Sequence, residues 1–366
     1  MNIHHITITT LVFSLLTVSF APGQSAVKTT KSLADLVGGG AKFLAGSQAE
    51  DGSWSSFAGT GITSLATTSL LRNGRSPDDP VVAKGVQYLL SHAKPSGGIY
   101  MQDSLYRNYE TCCAIMCLTE ANRDGKHDEV LAKAEKFITE LQWDEQEGHG
   151  PESLSYGGAG YGKHGRPDMS NTGFFLEAKR ALGRGAEDPA VQKALVFISR
   201  CQNLETEHNP TQWADKVEDG GFYYTAAAGG SSQAGPTDNG GLRSYASMTY
   251  VGLKSLLYAG VKADDPRVKA AREWIGKNYT LEQNPGMGDS GLFYYYHVFA
   301  KALSTVGEKK VTDNAGAEHD WRGDLVSQLA KTQKANGSWT NENKRWLESD
   351  PHLVTAYVLL ALSHIK

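Results

Sequence analysis

The chain has 366 residues, of which 40% are hydrophobic, and its 36 basic and 40 acidic residues give a formal net charge of -4. A chain of this length and composition can bury a large core. Because charges of both signs are scattered along the sequence, they exclude a single-sign field for nucleic acid or an anionic membrane, and we expect a small organic ligand or a protein partner instead.

The first 26 residues have the pattern of an export signal. Leu11 to Ala21 is an uncharged apolar run, and the small-residue stretch Pro22 to Ala26 follows it. The run is too short to span a bilayer, and no later segment reaches the ~20 apolar residues that a membrane helix needs. The sequence therefore predicts a signal peptide over residues 1–26, a secreted or periplasmic protein, and no transmembrane segment.

Helix starts recur along the rest of the chain. Each begins at an acidic residue, and the six are Asp35, Asp79, Glu129, Asp188, Asp265 and Asp320. In the second, fourth and fifth of them proline follows the acid. An N-cap aspartate accepts hydrogen bonds from free backbone amides, and a proline at the first helical position has no amide to lose. The apolar residues that follow fall along one stripe of a helix, so each start predicts an amphipathic helix.

After each of these helices the sequence predicts a turn and a second helix. Most of the second helices end in a small residue followed by leucine, as in Ser69-Leu70 and Ala361-Leu362. No segment alternates long enough to indicate a sheet. Two-helix units of this kind cannot bury their apolar faces alone, but six of them can close into a ring. We therefore predict an all-α protein with six helical hairpins in one domain over residues 27–366.

The turns of the first and last units carry a second repeat. Gln48 to Trp54 and Gln333 to Trp339 both read Gln, three residues, Gly-Ser-Trp. Glycine permits a tight reversal, and the glutamine and the aromatic residue can fix one hairpin to the next. Degenerate copies of the glycine and aromatic residues occur in the turns between them.

With these turns, and with the segments Pro167 to Thr172 and Tyr294 to His297, the sequence resembles the prenyltransferase and squalene oxidase repeat family. That family belongs to the terpenoid cyclase superfamily and includes squalene and hopene cyclases and the β subunits of protein prenyltransferases. The resemblance covers about Asp35 to Lys366. It implies an α/α toroid in which the second helix of each hairpin lines a central cavity and directs its N-terminal end to the cavity mouth.

Polar residues at those N-terminal ends are the candidate site residues. The candidates for catalysis are Asp168, Ser170, Asn171 and Glu110. The candidates for ligand binding are Tyr109, Tyr245, Tyr295, His297 and His352. Glu110 has two interpretations, a general acid or base whose pKa is raised by burial, or a hydrogen-bonded residue of an inner helix.

The catalytic motifs that the resemblance implies are not intact. Cyclases need an Asp-x-Asp-Asp motif, and here Asp168 occupies the first position while Ser170 and Asn171 replace the two following acids. A serine or an amide cannot protonate an isolated double bond. The Asp-x-Cys zinc ligands of the prenyltransferases are replaced by Arg243 and Tyr245. We therefore expect no zinc and no other cofactor.

Several patterns permit two interpretations. His164 and Asp168 can form a metal clasp or be ordinary loop residues. The aromatic run Tyr294 to His297 can form a wall for a prenyl chain or pack a helix. The long connections 142–171 and 202–245 can be lids or binding loops over one mouth of the ring, or solvent-exposed flexible segments. The four cysteines, three of them crowded in one apolar segment, are expected to be buried and unpaired.

Three functions stay open at the level of sequence. The leading hypothesis is a protein that holds an isoprenoid-like or other elongated apolar ligand in its cavity, whether or not it is an enzyme. The alternatives are a non-catalytic binding or scaffold protein of the cell envelope, which a cavity filled by side chains would favour, and a carbohydrate-active enzyme, which paired carboxylates in a polar groove would favour.

Overall fold

The helices of the computed structural model, which describes residues 31–162 and 165–365, follow the predicted order of paired units. The predicted signal peptide lies outside the described residues. The first helix of each unit is α1 (Leu33–Gly46), α3 (Pro80–Ser91), α5 (Asp128–Thr139), α7 (Pro189–Arg200), α10 (Pro266–Lys277) or α12 (Trp321–Thr332). The second helices are α2 (Gly61–Arg72), α4 (Arg107–Ala121), α6 (Met169–Ala181), α9 (Ala246–Tyr258), α11 (Leu292–Val306) and α13 (Pro351–Ser363). A single turn of helix, α8 (Ala214–Val217), lies in the connection between α7 and α9.

The second helices form a closed ring. In order, α2 packs on α4, α4 on α6, α6 on α9, α9 on α11 and α11 on α13, and α13 returns to α2. The other six helices pack around the outside. Their burial differs accordingly, because every residue of α2 from Gly61 to Leu70 is buried, whereas α5 buries only the stripe Leu131, Ala134 and Ile138. This arrangement confirms the predicted α/α toroid.

Aspartates cap the outer helices α3, α7 and α10 as predicted. The carboxylates of Asp79, Asp188 and Asp265 accept backbone N–H groups of the first turn, with proline at the first helical position. Asp350 starts the inner helix α13 in the same way. The start expected at Asp35 differs, because Ser32 is the N-cap of α1 and Asp35 completes a capping box with it.

The glutamine and tryptophan side chains of the repeated turns join neighbouring hairpins. Gln48 Nε2 donates to the carbonyl of Gly52 in its own turn and to the carbonyl of Val81 in α3, both at 2.9 Å. Gln333 Nε2 donates in the same way to Gly337 and to Leu36 in α1. The indole of each motif tryptophan donates to the preceding outer helix. The last unit is thereby joined to the first, across the point where the ring closes.

The two long connections contain the same pair of glutamine hydrogen bonds between neighbouring hairpins, which we call a joint. The sequence pattern did not reveal it there. Gln142 Nε2 donates to the carbonyls of Gly157 (2.8 Å) and Ala190 (2.9 Å). Gln202 Nε2 donates to Gly220 (2.9 Å) and Arg267 (2.8 Å). In each connection, extra residues therefore lie between the glutamine and its glycine, and in the second connection a further long segment follows Gly220 before α9. At Gly157, φ is +79° and a Cβ atom would lie 1.8 Å from the Lys193 carbonyl oxygen, so the turn requires glycine.

A hairpin of β1 (Val311–Thr312) and β2 (Glu318–His319) lies between α11 and α12, where no sheet was expected. Strands of two residues are too short to produce an alternating pattern in the sequence.

The four cysteines are buried and unpaired. Among the described residues, no helix combines the length and apolar character that crossing a bilayer requires.

Candidate functional site

A cavity of about 540 Å³ lies at the N-terminal ends of the inner helices. Its wall comes from the first turns of these helices and from the loops that precede them. Ten lining residues are aromatic: Phe57, Tyr106, Tyr109, Tyr161, Phe174, Tyr224, Tyr245, Tyr294, Trp346 and Tyr357. The volume is within the range of small-molecule sites in proteins, and apolar walls with a few polar groups are typical of them.

Neighbouring inner helices place these rings in contact along the wall. The rings of Tyr109 and Phe174 meet edge to face, with centroids 4.9 Å apart. Phe174 stacks on Tyr294 at 6.3 Å, and Tyr294 packs on Tyr357 at 5.8 Å. Three of these side chains carry hydroxyls, so the wall combines aromatic faces with isolated polar groups.

The mouth of the cavity is unusually apolar. Its rim includes Phe57 (78% exposed), Leu105 (59%), Tyr106 (52%), Trp346 (45%) and Leu347 (44%). These five are the exposed large hydrophobic side chains among residues 31–162 and 165–365, and all of them line this one cavity. An exposed apolar cluster of this kind marks a binding site rather than ordinary surface.

Part of the rim is held in a strained backbone conformation. Trp346 (φ 55°) and Leu347 (φ 63°) are consecutive non-glycine residues in the left-handed region. The guanidinium of Arg345 lies over the Trp346 ring at 4.2 Å and donates to Gln233 Oε1 at 2.5 Å, which joins the rim to the 202–245 connection. The fold thus maintains two apolar side chains at the mouth at a cost in backbone energy.

The Glu348 carboxylate follows this rim segment and hydrogen-bonds to Asn341 and to the start of α11. Its Oε1 accepts the N–H of Tyr294 at 2.7 Å, and its Oε2 accepts Asn341 Nδ2 at 2.7 Å. Burial raises the pKa of Glu348 above its usual value, against the hydrogen bonds from Asn341 and from the start of α11. Glu348 lines the cavity but was not a sequence candidate, because it caps a helix other than its own.

Asp168 lies behind the wall. It is 1% exposed and does not belong to the lining, which includes Ser170 and Asn171 instead. As N-cap of α6, its Oδ1 accepts the N–H of Asn171 at 2.9 Å, and its Oδ2 accepts Asn171 Nδ2 at 2.8 Å. The Tyr224 hydroxyl also hydrogen-bonds to it. Burial raises the pKa of Asp168 to about 6, although these hydrogen bonds oppose the shift.

Glu110 is directed toward backbone amides rather than toward the cavity. Its Oε2 accepts the N–H of Thr60 (2.8 Å) and of Met101 (2.9 Å), and its Oε1 accepts the hydroxyl of Ser104. Thr60 precedes α2, and the other two partners belong to the rim segment before α4. The carboxylate therefore fixes the rim to the start of an inner helix, in line with the hydrogen-bonded interpretation of this residue.

The structure brings four of the nine candidate residues together on the cavity wall: Tyr109, Ser170, Asn171 and Tyr245. The other candidates lie outside the lining. Tyr295 donates its hydroxyl to the carbonyl of Thr280 at 2.7 Å. His297 is buried and stacks on the Tyr357 ring at 5.7 Å, with a low pKa caused by burial. The roles assigned to all nine stay predictions.

His352 has local partners at the first turn of α13. Its Nδ1 lies 2.8 Å from the Ser55 hydroxyl, and its ring stacks on Phe43 at 5.6 Å. Burial lowers the pKa of His352, although the Asp350 carboxylate opposes the shift. His164, the other residue of the metal clasp considered with Asp168, lies outside the described residues.

Comparisons with known proteins agree with this fold. Residues 58–225 match the family model of the squalene-hopene cyclase C-terminal domain. No curated protein matches the sequence. A tyrosine-to-phenylalanine variant of the type II terpene cyclase MstE from Scytonema is similar in structure, with a TM-score of 0.55 and 11% identity over 91% of this chain and 96% of that one. Unsubstituted MstE gives a TM-score of 0.52 and 12% identity over 90% of this chain and 97% of that one. The family match and the shared fold together confirm the predicted resemblance to the terpenoid cyclase superfamily of α/α toroids.

Proposed function

We propose that this protein binds an elongated, mostly apolar ligand of isoprenoid type in the cavity of the toroid. The observation that carries the proposal is the continuity between an aromatic cavity of about 540 Å³ and an exposed apolar rim. An apolar molecule that enters such a site leaves water at the rim and stays in contact with apolar side chains as it moves into the cavity. From the signal-peptide pattern of residues 1–26, we further propose that the protein binds this ligand outside the cytoplasm.

Binding is favoured over cyclisation by the residues at the wall. Ser170 and Asn171 line the cavity at the positions where cyclases carry acids, and neither can protonate an isolated alkene. Asp168, the remaining acid of that segment, uses both oxygens in hydrogen bonds to Asn171. The proposal therefore includes no covalent step.

The two alternative functions have less support. A scaffold protein would be expected to fill its ring with side chains, and this ring contains a cavity large enough for a ligand. A carbohydrate-active enzyme needs two carboxyl groups facing one groove. Among the described residues, two carboxyl groups line the cavity, Asp103 and Glu348, and the latter uses both oxygens in hydrogen bonds to the Tyr294 N–H and Asn341. Asp168 and Glu110 are occupied by hydrogen bonds to helix N-termini and loop backbone.

The test starts from protein purified from its own host, followed by native mass spectrometry and lipid extraction. We expect an isoprenoid-type lipid in one-to-one complex with the protein. In addition, farnesol added at 100 times its Kd should raise the free energy of unfolding by about 2.7 kcal/mol, because the ligand binds only the folded state.

A cavity-filling variant gives the matched control. Ser170→Phe places a ring in the space next to Tyr294, so it should abolish the stabilisation by farnesol. Ser304→Phe makes the same change on α11 outside the lining, and should keep it. Stabilisation that survives Ser170→Phe, or a host-purified protein that contains no lipid and gains nothing from farnesol, would contradict the proposal.

A further inference from the structure

The cavity wall combines polar groups with hydrocarbon, and Tyr109, Tyr357 and Glu348 add polar atoms outside its α6, α9 and α11 side. Where α6, α9 and α11 begin, the lining carries the hydroxyl or amide groups of Ser170, Asn171, Tyr245 and Tyr294. On the opposite side, where α13 and α2 begin, Leu353, Ile62 and Ala58 present hydrocarbon. A ligand composed of hydrocarbon alone would leave unpaired any of these groups that has no partner within the protein, and buried polar groups without partners are costly.

Most polar groups of this wall already have a partner within the protein. The hydroxyls of Ser170 and Tyr294 lie 3.2 Å apart. Ser247 Oγ accepts Asn284 Nδ2 at 2.8 Å. Asn171 donates to Asp168 and lies beside the Tyr161 hydroxyl. These contacts give each of these side chains a partner without a ligand, although Asn171 Oδ1 has none within the described part of the chain.

The hydroxyl of Tyr245 is different. The residue is 3% exposed and lines the cavity, yet its hydroxyl has no hydrogen-bond partner within the described part of the chain. Burial raises the pKa of Tyr245 well above its usual value, so the hydroxyl keeps its proton and is a donor at neutral pH.

The position of this donor is fixed by its backbone. Tyr245 is the N-cap of α9, its N–H donates to the Phe222 carbonyl at 3.2 Å, and its own carbonyl accepts the N–H of Thr249 at 3.0 Å. A Cβ atom on Gly286 would lie 2.9 Å from the Cβ of Tyr245, so the neighbouring loop confines the side chain from outside. A donor held in place before binding loses little entropy when it meets its acceptor.

We propose that the ligand carries one oxygen function, an alcohol at the end or edge of its hydrocarbon chain, and that this oxygen accepts a hydrogen bond from Tyr245. The inference rests on the proposed function and narrows its ligand class from isoprenoid-type molecules in general to isoprenoid-type alcohols. The hydrocarbon then faces Leu353 and Ile62, and the oxygen faces the starts of α6 and α9.

The test compares farnesol with farnesene, a hydrocarbon of the same chain length, by calorimetric titration. Wild-type protein should bind farnesol about 3- to 10-fold more tightly, the range expected for one neutral hydrogen bond. Tyr245→Phe should bring the ratio close to one while its affinity for farnesene stays at the wild-type value. Tyr295→Phe removes a hydroxyl that donates to Thr280 away from the cavity, and should keep the preference.

The outcomes separate this inference from the proposed function. Equal wild-type affinities for the two ligands would overturn the alcohol assignment and leave the apolar site intact. A preference for farnesol that persists in Tyr245→Phe would overturn the role of Tyr245. Failure of both ligands to bind wild-type protein would overturn the proposed function and this inference together.

Discussion

Asp168 illustrates how one buried carboxyl group combines a structural role with a perturbed pKa. It caps α6, and its two oxygens accept the backbone and side-chain N–H groups of Asn171. Such hydrogen bonds favour the charged form, yet burial outweighs them and raises the pKa of Asp168 to about 6. Near neutral pH the protein therefore holds a carboxylate whose ionisation costs folding energy.

This raised pKa predicts how the stability depends on pH. The folded state keeps the Asp168 proton up to about pH 6, whereas the unfolded chain releases it near pH 3.8. The stability contributed by the protonated form is therefore present below pH 3.8 and is lost as the pH rises to 6. Relative to Asp168→Asn, the wild-type free energy of unfolding should fall by about 3 kcal/mol between pH 3.8 and pH 7. Urea unfolding of both proteins across this interval measures the difference. A difference that does not change with pH would contradict the prediction.

For single residues, the sequence did not predict the direction in which a side chain points. Tyr294 and Tyr295 are adjacent in α11, but successive helical residues are rotated by about 100°, so only one of them can face the cavity. Tyr294 lines it, and Tyr295 hydrogen-bonds to Thr280 outside the lining. Repeat position alone indicated the correct helix end but not which tyrosine faces inward.

Among secondary-structure elements, neighbouring hairpins are connected by the glutamine joints. In the long connections, Gln142 and Gln202 are 1% exposed, and each gives both Nε2 hydrogens to carbonyls, one in its own turn and one in the next outer helix. Because a buried carbonyl that loses its donor also loses access to water, both hydrogen bonds of each glutamine should contribute to stability.

Substitution of these glutamines should therefore loosen the toroid. Gln142→Ala and Gln202→Ala each remove two buried hydrogen bonds, and we expect each to lower the free energy of unfolding by about 2 to 3 kcal/mol. Gln146→Ala, at an exposed position of the same connection as Gln142, should change it by less than about 0.5 kcal/mol. Chemical denaturation of the three variants measures their free energies of unfolding. Equal losses for Gln142→Ala and Gln146→Ala would disprove the role of the joint.

The sequence predicted the starts of outer helices better than the joints. Asp-Pro pairs specify α3, α7 and α10 locally, because the cap and the first turn lie within a few residues. In the first turn motif Gln48 lies 4 residues before its glycine, and this spacing is visible as a repeat. Gln142 and Gln202 lie 15 and 18 residues before theirs, so the same joint has no fixed spacing that a pattern could detect.

At the scale of the whole molecule, the ring brings together charges that are far apart in the sequence. Glu177 of α6 forms ion pairs with Lys254 of α9 and Lys301 of α11, and the three residues are 4%, 1% and 7% exposed. The partners lie 77 and 124 residues from Glu177. The number of repeats predicted a closed ring, but not which charges would meet inside it.

The electrostatics of this triad depend on the carboxylate. Burial alone would raise the pKa of Glu177, but the two ammonium groups outweigh it and hold the pKa well below its usual value. Burial lowers the pKa of Lys301, and Glu177 opposes that shift. One carboxylate thus compensates two buried cations supplied by different helices.

Removal of this single negative charge should destabilise the whole ring. Glu177→Gln keeps the shape of the side chain but leaves two buried ammonium groups without a counter-charge, and we expect a loss of about 3 to 5 kcal/mol in the free energy of unfolding. The triple variant Glu177→Leu, Lys254→Met and Lys301→Met removes all three charges together, and should recover most of that loss because no desolvated charge remains. Urea unfolding at neutral pH compares the two variants with wild type. A triple variant no more stable than Glu177→Gln would mean that packing, rather than charge compensation, determines how α6, α9 and α11 meet.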